Sequence, residues 1–151
     1  MRSFISCLFA CLVTICLSTA ILNCSSSTSS GPTGPGPTAT SLEGTWKGHT
    51  LGDTNTFTAV FTGNNFSFSL GLIIGYAGTF SINAASNPKT MDVVITQCAN
   101  TAYVGKTSLG IYKVSSDTLT YAANEPGNPN RPTSFAYDST GTTVVFVFVK
   151  Q

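Results

Sequence analysis

From position 42 onward the chain is written in short alternating runs. Phe57, Ala59 and Phe61 fall on one side of an extended segment, and Phe66, Phe68 and Leu70 on one side of the next, with Ser67 and Ser69 opposite. Successive side chains of a strand point to opposite faces, so each run presents one apolar and one wet face. Eight such runs are expected, over 43–50, 56–62, 65–70, 76–83, 90–98, 108–114, 118–122 and 143–150, and nowhere between them does a helical period emerge. Gly63-Asn64 and Ser115-Ser116-Asp117 are compact enough to close hairpins, and Ser86-Asn87-Pro88 marks a further turn. The last run, Val144 to Val149, is apolar on both faces, which predicts a strand covered on its outer side as well. Consecutive hairpins leave two free sheet edges, and closing the sheet on itself removes both. The fold expected is therefore all-β: a single up-and-down, eight-stranded antiparallel barrel over 42–151.

The first 41 residues follow other rules. Arg2 precedes an apolar run from Phe4 to Leu17 that is short for a membrane span, the pattern of a cleaved export signal. Ile21-Leu22-Asn23-Cys24 then places a cysteine just after the apolar stretch, ahead of a Ser/Thr run. This arrangement resembles the start of bacterial lipoproteins, with Ile21 and Asn23 giving a relaxed box similar to those of spirochaete lipoproteins. The resemblance implies a signal peptide over 1–23, alkylation of the Cys24 thiol with diacylglycerol, cleavage before it and acylation, such as palmitate, on the new amine. The competing reading is an ordinary secretory signal cut near Ala20. Residues 25–41, SSSTSSGPTGPGPTATS, hold no large hydrophobe and read as a tether with a reach on the order of 25 Å.

Charge narrows the partners. Only 9% of the 151 residues are charged, the basic ones are scattered, and removal of Arg2 from the seven leaves six basic against six acidic side chains. No basic footprint for nucleic acid is present, and a near-neutral domain steers no charged macromolecule over long range. Cysteine usage agrees with export: Cys7, Cys11 and Cys16 fall in the signal, Cys24 takes lipid, and Cys98 is left as a small core hydrophobe.

Gly44-Thr45-Trp46 on the first strand, Gly110-Ile111-Tyr112-Lys113-Val114, Asp117-Thr118-Leu119-Thr120 and Arg131-Pro132-Thr133-Ser134-Phe135 resemble, in the same order, small bacterial lipocalin-like domains of the planctomycete type. The resemblance covers most of 42–150. It implies that Trp46 plugs the closed end of a barrel and that a basic residue near the last strand, for which Arg131 is the candidate, lies over its face. It carries no ligand with it.

Catalytic chemistry finds little support. His49 is the single histidine and reads as a surface or rim residue, since metal and nucleophile–His sites need partners that the sequence does not space around it. The carboxylates are dispersed, although folding could bring together a pair such as Glu43 and Asp117. No enzyme, cofactor or metal is expected. Gly71-Leu72-Ile73-Ile74-Gly75 reads first as an extension of the third strand into the core, and otherwise as an exposed lip at the rim. The long stretch from Ala123 to Phe135, with Pro126 and Pro129, reads as a lid or as a rigid crossover. Leu72, Ile73, Ile74, Pro126 and Pro129 are thus the candidate ligand or lid contacts. The expectation is a lipid-anchored protein of the cell envelope, at the outer membrane or cell surface, binding a small apolar ligand. Alternatively, it is an interaction lipoprotein of inhibitor or adhesin type with a filled barrel, a reading that its eight phenylalanines beyond Cys24 favour.

Overall fold

The computed structural model describes residues 42–138 and 141–151; the expected signal peptide, Cys24 and the tether lie outside the described residues. Eight strands follow in order: β1 Gly44–Thr50, β2 Phe57–Thr62, β3 Asn65–Leu70, β4 Ile73–Asn83, β5 Lys89–Cys98, β6 Thr107–Ser115, β7 Thr118–Asn124 and β8 Thr143–Lys150. Each pairs antiparallel with the next, and β8 returns to β1 through Trp46↔Lys150 to Thr50↔Phe146, giving a closed barrel without sheet edges. The up-and-down barrel read from the alternation is the fold, and it is consistent with a lipocalin-like architecture.

The inward positions are those the alternation assigns. Ala59, Phe61, Phe66 and Phe68 are buried in one cluster with Met91, Val93, Ile95, Leu119, Tyr121 and Phe148. The rings of Phe68, Phe146 and Phe148 lie almost parallel in the interior, each 5.5 to 5.8 Å from the other two, so their centroids form a triangle. Cys98 packs half-buried against this cluster. Gly110 on β6 leaves room for the Tyr121 ring of β7: a Cβ there would lie 2.3 Å from it.

One end of the barrel is shut. Trp46 is fully buried there, opposite the small Ala59, and its Nε1 donates to Leu42 O at 2.7 Å. The cation over its ring is Lys150, with Nζ 5.4 Å from the centroid, because the β1–β8 register sets Lys150 directly opposite Trp46. Arg131 does not take that place. Its guanidinium is bidentate to Asp92 and also donates to Gly110 O at 2.6 Å. At the same end Gln151 N donates to Thr45 O at 2.9 Å.

The described part of the β7–β8 connection, residues 125–138 and 141–142, lies as a strap against the outside of the barrel. Arg131 fastens it over β5 and β6, and Phe135 packs with Leu51 on Ile111, Ala122 and Val145, with Lys113 Nζ 4.9 Å from the Phe135 ring. This is the outer cover that the doubly apolar last strand calls for, and it extends along β8 only as far as the cluster around Val145; Val149 is half exposed. Buried Asn124 pins both limbs of the strap, donating to Asn130 O at 2.9 Å and accepting from Thr143 Oγ1 at 2.7 Å. The crossover reading of this loop matches its course.

Candidate functional site

The connections 51–56, 71–72, 99–106 and 125–142 leave the barrel at the end opposite Trp46. Between them a pocket of about 100 Å³ opens inward. Aromatic rings form its floor: Phe68 and Phe146 stack at 5.5 Å and Phe57 meets Phe146 edge-on at 6.4 Å. Tyr76, Leu70, Val144 and Val145 extend the apolar wall, Thr50, Ser69 and Thr143 supply hydroxyls, and Asp53, Tyr137 and Asp138 line the mouth. Beneath it lies a chamber of about 30 Å³ lined by Phe66, Val93, Ile95, Ser108, Tyr121, Ala123 and Pro126. Phe68, Tyr76 and Phe146 border both spaces and divide them.

Local chemistry fixes the two carboxylates. Asp53 stands in the β1–β2 turn, where its Oδ1 accepts from the backbone N of Asn55 at 3.0 Å and from Asn55 Nδ2 at 2.8 Å. Those donors hold its carboxyl below the usual carboxylate range, so it is ionised at neutral pH. Asp138 is oriented at the returning limb of the strap by the backbone N of Thr143, 3.3 Å from its Oδ2. Tyr137 lies across the bare backbone of Gly52, where a Cβ would stand 2.9 Å from the ring, so the two loops carrying the carboxylates pack against one another.

In the lower chamber the Tyr121 hydroxyl is fully buried and makes no hydrogen bond of acceptable geometry. Ser108 lies beside it, with its Oγ donating to Asn124 O at 2.5 Å. Burial pushes the phenol well up from its ordinary value.

Placement of the expected residues is mixed. Pro126 is buried and lines the lower chamber, whereas Pro129 is exposed on the strap. Leu72, Ile73 and Ile74 do not enter the core: Leu72 is fully exposed, and Ile73 and Ile74 are half exposed at 50% and 49%. The expectation of a core extension is corrected here. Ile73 and Ile74 open β4, paired with Leu70 and Ser69, and stand above the level at which the barrel has an interior to fill. His49 sits on β1 opposite Val147, and among the described residues no three His, Cys, Asp or Glu gather to hold a metal ion. Glu43 accepts from Gly63 N at 2.8 Å at the closed end, with Asp117 in the β6–β7 turn at that same end, away from the pocket. The sequence reading missed Asp53, Tyr137 and Asp138, whose only local signal is their position in turn-rich connections. Comparison with protein-family models, characterised proteins and solved structures gave no match.

Proposed function

We propose that this is a lipid-anchored, non-catalytic binding protein of the cell envelope, held to the outer membrane or cell surface through acylated Cys24 and taking a small apolar ligand at the open end of its barrel. The observation that carries the binding half is the aromatic-floored pocket. At about 100 Å³ it is smaller than the roughly 150 Å³ closed cavity known to enclose benzene, but it is open at its mouth, so one ring or a short chain can seat in it with a polar end outside, and a drug-sized ligand does not fit. The anchoring half rests on the tripartite signal before Cys24.

Calorimetry on the full chain in lipid nanodiscs, with empty nanodiscs as blank, tests the binding. Saturable binding of 2-phenylethanol is expected, and Gly75→Leu should abolish it. Gly75 lines the pocket, has no positive φ, and an added Cβ there meets only Phe68 O at 3.7 Å, so the barrel tolerates the change while the mouth narrows. Equal binding by the variant would place the ligand elsewhere.

A second reading is favoured by one observation. Of the exposed large hydrophobic residues, Leu72, Ile73, Ile74, Val104 and Tyr137 all stand at the open end, as a surface for a protein partner would.

A further inference from the structure

The charge of the mouth pocket is one-sided. Asp53 and Asp138 are its only charged lining residues among the described ones, and no Lys, Arg or His borders it. A pocket for an apolar body alone gains nothing from two carboxylates at its lip, and a pocket for a fatty acid or other anion would be repelled by them. The aromatic wall adds to the same bias, because the negative faces of Phe57, Tyr76 and Tyr137 attract a cation as well as an apolar ring.

We infer that the ligand is a small organic ammonium: a single ring or short chain seated on Phe68 and Phe146, bearing a protonated amine that reaches Asp53 and Asp138 at the mouth. This rests on the binding reading above and names its ligand class. The geometry of each carboxylate suits the role. Both hydrogen bonds from Asn55 fall on Asp53 Oδ1 and fix the carboxylate at the lip of the pocket, which it lines. Asp138 is turned by Thr143 N from the opposite side of the mouth. Because Tyr137 packs on Gly52, the loops that carry the two acids are held together before any ligand arrives, which lowers the cost of ordering them on binding. A two-carbon spacer between ring and amine keeps the ligand as small as a volume of about 100 Å³ requires.

Three near-isosteric probes test this on the full chain in nanodiscs: 2-phenylethylamine, 2-phenylethanol and 3-phenylpropionate. The amine is expected to bind at least about fivefold more tightly than the alcohol, and the carboxylate more weakly than both. Raising salt from about 0.02 to about 0.5 M should shrink the amine's advantage while leaving the alcohol unchanged, as screening of an exposed charge pair requires. In the double variant Asp53→Asn, Asp138→Asn the amine-to-alcohol affinity ratio should fall to about one. If the alcohol binds but the amine binds no better, the ammonium assignment is overturned and the binding site stands. If none of the three binds, both fall. An amine advantage that survives in the double variant would also overturn the assignment, since the cation would then be held by other groups. The comparison of the three probes on the unaltered protein decides the matter even if the double variant does not fold.

Discussion

Tyr121 places a hydroxyl in the dry interior, and its burial has a pH signature. An unfolded chain releases a phenolic proton near pH 10, whereas the folded barrel resists the phenolate, so above that pH the unfolded state binds fewer protons and stability falls. Tyr112, also raised by burial, acts with the same sign. Urea unfolding followed against pH should show a decline setting in at about pH 10, shallower in Tyr121→Phe. At neutral pH that variant should be as stable as the parent or better by up to about 1 kcal/mol, because it deletes a desolvated hydroxyl that lacks a well-formed hydrogen bond. A clear loss of stability would mean that Ser108 satisfies the phenol after all. Trp46 predicts the opposite outcome. It is fully buried and tied to Leu42 O, so Trp46→Ala should cost about 3–5 kcal/mol in the same assay.

At the scale of elements, β6 and β7 meet at Gly110, where there is no room for a side chain. Gly110→Ala would push a methyl into the Tyr121 ring, and overpacking of this kind costs about 1–3 kcal/mol. A double-mutant cycle with Tyr121→Ala should recover part of that loss, since the ring is the nearest obstacle and Ala122 O, at 2.9 Å, the next; fully additive losses would place the strain at that backbone oxygen. The strands themselves were legible because alternation is a local signal, and every expected run overlaps an observed one. What was not legible depends on distance along the chain. Lys150 faces Trp46 only through the register that closes the barrel, and hydrophobicity cannot tell that Ile73 and Ile74 belong to a strand extending past the interior. The pocket mouth is less legible still, being assembled from turn residues 53 and 137–138, which no spacing links.

For the whole molecule, the described chain enters the barrel at Leu42, at its closed end. If residues 25–41 act as the proposed tether, attachment there would leave the pocket on the far side of the domain. The intact mass of membrane-extracted protein should correspond to a chain that begins at Cys24 with acyl groups added; an unmodified chain beginning near Ser18–Ala20 would make this a secreted protein instead. The hydrogen bond from Gln151 N to Thr45 O has a consequence of its own. It brings residue 151 beside the first strand, so the ring of strands has a seam but no obligatory starting point. A circular permutant that joins Gln151 to Leu42 through a few glycines and opens at the exposed Leu72 should fold cooperatively to the same β-rich circular dichroism spectrum. In such a molecule the chain ends would stand at the mouth and the closed end would be continuous, so the order in which strands leave the ribosome would be shown to be incidental to the barrel they close.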